Sequence, residues 1–223
     1  MARIYVETTI ATTLDRVWHA TQDHRLHPRW DARFGRIDPV PGSVPATFTY
    51  ATAGIAGHGV HSGERHRHGG GAVSTLRFGS ADRRSPIREG SGYWRYVPVP
   101  GGVRFLTGYA YRTRWGSAGR LADLVFGPAF GWATAWSFDR LRIWLEHGVT
   151  PERARRHAVA ELLLRASLIA VASASGGGPP AVLLATALAL AIPPHPLTPA
   201  ARRCRRRPGK ENRRDLGLRT SSR

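Results

Sequence analysis

The segment GHGVHSGERHRHGGG (57–71) gathers the side chains best suited to holding a metal. On a continuous strand His58, Glu64, His66 and His68 fall on one face, and two imidazoles with a carboxylate suit a zinc-like ion. Arg65 and Arg67 interleave with them and oppose a cation, while Gly69-Gly70-Gly71 puts His68 at a turn. The pattern therefore reads as a solvated hairpin end, and no metal is expected. His24 and His27 in DHRLHPRW (23–30) read as surface groups. Candidate acids and bases are Glu7, Asp23, Asp31, Glu64, Glu89 and Asp123, but no two stand at a spacing that guarantees proximity. There is no GxSxG and no phosphate-loop pattern. Cys204 sits in an arginine run that favours thiolate, yet it has no histidine beside it in sequence. No catalytic residue and no cofactor are assigned on these grounds.

The aromatic residues offer different chemistry. Phe48, Tyr50, Tyr93, Trp94, Tyr96, Phe105, Tyr109, Tyr111, Trp132 and Trp136 recur on segments with strand or helix patterning. Together they make either a solid core or the wall of an apolar pocket with a few hydroxyl handles. The pocket reading assigns a ligand cavity to Phe48, Tyr50, Tyr93, Tyr96, Phe105, Tyr109, Tyr111, Trp132 and Trp136.

These residues need a frame. The chain has 223 residues, 42% hydrophobic and 22% charged, which argues against wholesale disorder and against a polytopic membrane protein. Its formal net charge is +18, with arginine supplying every basic residue except Lys210. One cysteine excludes a disulfide framework. The opening MARIYVETTI lacks a charged start followed by an apolar run, so no secretory signal is expected. Residues 3–10 alternate as a strand, and Thr12 or Thr13 caps a following helix with an apolar face at Leu14, Val17 and Trp18. Strands are expected near 46–53, 57–67, 72–79, 90–97 and 102–114, with glycine or proline breakers between them. The last is clearest: Val103, Phe105, Thr107, Tyr109, Tyr111 and Thr113 share one face. A short helix over 116–127 and a long one over 130–147 follow, the second ending at Gly148. That order predicts an α+β domain, a bent antiparallel sheet with the long helix across its concave face.

The opening VETTIATTLDRVWHATQDHRLHPRW, with Val17-Trp18 on a capped helix and Trp30 closing the next, resembles the START/polyketide-cyclase-like (SRPBCC) superfamily. So does the closing AWSFDRLRIWLEHG. The resemblance spans residues 1–147, and the block from Gly108 to Glu146 is also similar to a group of uncharacterised actinobacterial proteins of that superfamily. It implies the helix-grip fold and an apolar cavity between sheet and helix that binds or carries lipids or polyketide-like compounds. The alternative it implies is a cyclase or hydrolase in the same cavity, for which Glu7, Glu64, Glu89 and His58 are the available titratable groups. The superfamily has no universal catalytic motif to transfer.

Beyond the domain (1–148), residues 149–197 contain an uncharged stretch at 166–192, broken by Gly176-Gly177-Gly178-Pro179-Pro180. The expectation is an apolar helical hairpin whose halves, 162–175 and 181–192, are too short to span a bilayer. Arginines flank it on both sides, which favours an anionic cytoplasmic membrane surface and a peripheral location. Residues 198–223 carry nine Arg, Lys210 and two acids, and read as a disordered basic tail. Such a tail binds nucleic acid only electrostatically, so no specific nucleic-acid partner is expected.

Overall fold

Alternating apolar residues from Ile4 to Ile10 build the first strand, β1 (Ala2–Ile10), in a computed structural model that describes residues 2–64 and 70–209. Thr13 then caps α1 (Leu14–Gln22): its hydroxyl accepts the Arg16 N–H, and Asp15 lies in the first turn. Pro28 opens the short α2 (His27–Trp30). Six strands follow: β2 (Arg36–Pro39), β3 (Thr47–Thr52), β4 (Ile55–Glu64), β5 (Ala72–Gly79), β6 (Ile87–Val99) and β7 (Gly102–Thr113). They pair antiparallel with β1 in the order β1-β7-β6-β5-β4-β3-β2. Chain reversals at each hairpin produce neighbouring strands, except that β1 closes the sheet beside β7. With the long helix α3 (Gly116–His147) across the sheet, this is an α+β, helix-grip architecture.

Two elements differ from the expected pattern. β2 is an edge strand that the sequence did not signal; four residues ending in proline carry too little alternation. The expected pair of helices at 116–127 and 130–147 is one continuous α3 running through Pro128. Proline removes one helical N–H and leaves the Leu124 carbonyl without its partner. Leu124 is on the solvent side, where water can satisfy that carbonyl, so the helix continues.

The core sits where β1, β6 and β7 meet α1, α2 and the C-terminal half of α3. Phe105 stacks on Phe138 with ring centroids 4.5 Å apart, and Trp30 packs edge-on to Phe138 while its indole N–H donates to the Ala20 carbonyl. Tyr96 is fully buried and its hydroxyl is shared by Thr21 and Gln22.

Two further helices follow Gly148, which ends α3 with a positive φ. They are α4 (Pro151–Ala174) and α5 (Gly178–Ala191), packed against each other as an antiparallel hairpin. The expected turn at the glycine–proline run is present. The expected short first half is not, because α4 starts at Pro151 and is by itself long and apolar enough to cross a membrane. Residues 198–209 also depart from a disordered tail. Ala200, Ala201 and Cys204 are buried against α3, and Glu7 and Arg205 exchange backbone hydrogen bonds that add a bridge to the free edge of β1. The fully buried Asp139 of α3 anchors this strap through the Ala200 N–H and Arg203, and it also pairs with Arg142. Residues 210–223 lie outside the described residues.

Candidate functional site

The outer half of the sheet builds a concave wall from alternation and glycine. Phe48 and Tyr50 of β3 lie flat over Gly59 and Gly57 of β4, and Phe78 of β5 lies over Gly90 of β6. A Cβ on Gly59 would stand 2.4 Å from the Phe48 ring, and one on Gly57 2.2 Å from the Tyr50 ring. Glycine therefore clears the floor on which these rings rest. Ser74, Leu76, Trp94, Thr107 and Tyr109 continue the same face. Opposite them, α3 contributes Phe126, Phe130 and Ala133, and the α1–α2 region contributes Gln22, His24, His27 and Arg33. Between the two walls is a cavity of about 340 Å³, a size at the small end of ligand sites.

Of the nine residues expected at a cavity, Phe48, Tyr50 and Tyr109 face it. Tyr93 borders it, but strand alternation and the position of its hydroxyl over Gly108 put that side chain on the opposite face of the sheet. Tyr96 and Phe105 belong to the solid core instead. Tyr111 is also fully buried, and its hydroxyl donates to Asp123 at 2.5 Å. Trp132 is on the outer side of α3, and Trp136 is half-buried against the core, away from the cavity lining. In a continuous helix Trp132 sits about 200° around from Phe130, and it is 53% exposed, stacked on Trp136. The inner pair Phe126 and Phe130 carried the i,i+4 signal that would have identified the helix side of the cavity.

Polar groups line both walls. His27, read as a surface group, is buried between Trp30, Phe34 and Trp94. Its Nε2 is 3.1 Å from Asp31, itself fully buried, and Arg33 donates to both oxygens of the same carboxylate at 2.8 and 2.6 Å. Burial opposes ionisation of Asp31, but Arg33 and His27 outweigh it and hold the carboxyl far below the usual range. Burial also lowers the His27 pKa, against the pull of Asp31. Arg33 lies over the Tyr109 and Phe130 rings at 5.5 and 5.6 Å. Across the cavity, His61 Nε2 is 2.5 Å from the Ser74 hydroxyl, and burial lowers its pKa too. A surface cleft between α1 and β2 shares Gln22, His24 and Ile37 with the cavity.

Of the four groups expected to serve an enzyme, Glu7, Glu89 and His58 lie away from the cavity. Glu89 pairs with Arg112 in solvent, and His58 is exposed. Glu7 is buried, but under the strap, where the Tyr5 hydroxyl donates to it. The Glu64 side chain, His66 and His68 lie outside the described residues. Among the described residues no group of His, Cys, Asp and Glu is placed to hold a metal ion. Cys204, expected to be activated by arginines, donates to the Ala135 carbonyl at 3.2 Å, and burial pushes its thiol up to about 12.

No family model matches this chain. It is similar to the uncharacterized membrane protein YndG of Bacillus subtilis (strain 168), 42% identical over 166 residues. The match takes in 70% of this chain, which spans 62% of the length of that relative. Similar solved structures include the di-domain ARO/CYC StfQ of the steffimycin biosynthetic pathway, at 11% identity over 66% of this chain and 51% of that one, TM-score 0.49. Another is a Thermobifida fusca protein at 16% identity over 64% and 91% of the two chains, TM-score 0.45. A third is Ara h 8.0201, at 11% identity over 61% and 97%, TM-score 0.38.

Proposed function

We propose that residues 1–148 form a START/polyketide-cyclase-like module that binds or carries an apolar small molecule, lipid or polyketide-like, between its sheet and α3. The observation that supports this most is the largely apolar cavity, walled by Phe48, Tyr50, Phe78, Phe126 and Phe130. Nile red, which fluoresces on leaving water, tests it. Wild type is expected to bind the dye at micromolar affinity, and Ala133→Trp, which fills the cavity from α3, to lose at least tenfold. Equal binding by both proteins, or none by wild type, refutes the reading.

The module works at an anionic membrane surface, at the inner face of the cell membrane. The hairpin supports this part. Leu162, Leu163, Leu164, Leu168, Leu183, Leu184 and Leu188 are all exposed. Arg165 is tied to Glu161 and to the Ala189 carbonyl, so the last charges on α4 sit at the level where α5 ends. From there Ala166–Ala174 rises about 13 Å at about 1.5 Å per residue, under half of a hydrocarbon core of about 30 Å. Such a hairpin enters one leaflet and leaves on the same side. The exposed Arg153, Arg155, Arg156, Arg202, Arg206 and Arg207 flank its feet, each worth about 1 kcal/mol near an anionic surface. The similarity to a protein called a membrane protein accords with this. Flotation with phosphatidylglycerol vesicles should carry the wild type upward and leave Leu168→Ser/Leu183→Ser/Leu184→Ser behind. Wild type that stays at the bottom of the gradient contradicts the membrane reading.

A further inference from the structure

We propose that the cavity selects an uncharged amphiphile, one with a hydroxyl or carbonyl at one end of an apolar body, and rejects carboxylates and amines of the same shape. This rests on the ligand-binding reading above and names the class of ligand. Among the described residues, Arg33 is the one formally charged side chain lining the cavity, and Asp31 neutralises it by a two-point contact. Its partner's carboxylate is fully buried, so that pair is a closed unit and not a free cation waiting for an anion. Beside that pair, Gln22, His24 and His27 line the cavity from the α1–α2 region, and His61 and Ser74 line it from the sheet opposite. Burial favours the neutral forms of His27 and His61, which leaves donors and acceptors without charge. An ionised head group brought there would lose its water and gain no counter-charge, which is the costly case for burial.

The test is displacement of Nile red from full-length protein at pH 7.5 by decan-1-ol, decanoate and decylamine. Uptake of the dye reports the cavity itself, and the ranking of the three chains reports the selection. Decan-1-ol is expected to compete at least tenfold better than either ion. In Asp31→Asn the Arg33 charge loses its partner, and decanoate should gain at least tenfold relative to decan-1-ol. The wild-type ranking decides the matter even where that variant folds poorly. Dye uptake with decanoate or decylamine competing as well as decan-1-ol overturns the selection and leaves the cavity standing. An Asp31→Asn protein that folds and keeps the wild-type ranking also overturns it. No dye uptake by the wild type removes both.

Discussion

Gly59→Ala puts the cavity's construction under direct strain. The new Cβ would stand 2.4 Å from the Phe48 ring, closer than any real Cβ contact, and strand β4 cannot retreat because it is paired on both sides. Phe48, only 6% exposed, has to lift off the sheet, and the free space above it is the cavity. Forcing one methyl into a packed site costs about 1–3 kcal/mol. At about 2–4 °C per kcal/mol for a domain of this size, the melting temperature should fall by about 2–12 °C. Nile red affinity should fall with it, since the displaced ring occupies ligand space. Adding Phe48→Leu, which frees room above residue 59, should restore part of both. Thermal unfolding by circular dichroism and dye titration read the two quantities on the same samples. A Gly59→Ala protein with unchanged melting temperature and unchanged dye binding would show that the rings do not rest on the glycine floor as described.

The strap gives a second prediction: Asp139→Ala removes the buried carboxylate shared by the Ala200 N–H, Arg203 and Arg142, leaves Arg142 to Glu146 and Arg203 to the carbonyls of 194–198, and should cost about 3 kcal/mol in urea unfolding. A loss under about 1 kcal/mol contradicts the anchoring of residues 198–205. Cys204 should resist a soluble thiol reagent at pH 8 and react fully once the protein is denatured; prompt reaction of native protein refutes its burial. Acid should destabilise the fold in two steps. The lowered pKa of buried His27 means the unfolded chain takes up a proton first, so stability is full above about pH 7 and declines as pH falls below about 6.5. Asp31, held low, contributes stability above about pH 4 that is lost as pH falls further towards its folded value. His27→Gln should flatten the upper step by up to about 1.4 kcal/mol per pH unit, and an unaltered slope between pH 5 and 7 counts against it.

The sheet and long helix were legible because alternation and 3.6-residue periodicity are local. The inward face of β7, from Val103 to Thr113, is the case in point. Which aromatic residues enclose space was not legible, since that depends on helix phase and on partners distant in sequence. Treating 116–147 as two helices lost the phase that turns Phe126 and Phe130 inward and Trp132 outward. His27 looked solvated because its neighbours in sequence are polar, whereas Phe34 and Trp94, which bury it, arrive from other segments. The strap was hidden by its charge: nine arginines in the last 26 residues obscure the small apolar faces of Ala200, Ala201 and Cys204. Asp139, the group that holds it, is 61 residues away from Ala200.

A ligand held in the space between sheet and α3 leaves a direct chemical trace. The most direct measurement is mass spectrometry of small molecules extracted from full-length protein purified from its native host, run beside Ala133→Trp purified identically. Wild type should yield one uncharged apolar compound, near one molecule per chain, and the variant none. Protein that yields no such compound, or the same amount from both proteins, contradicts ligand binding in that space.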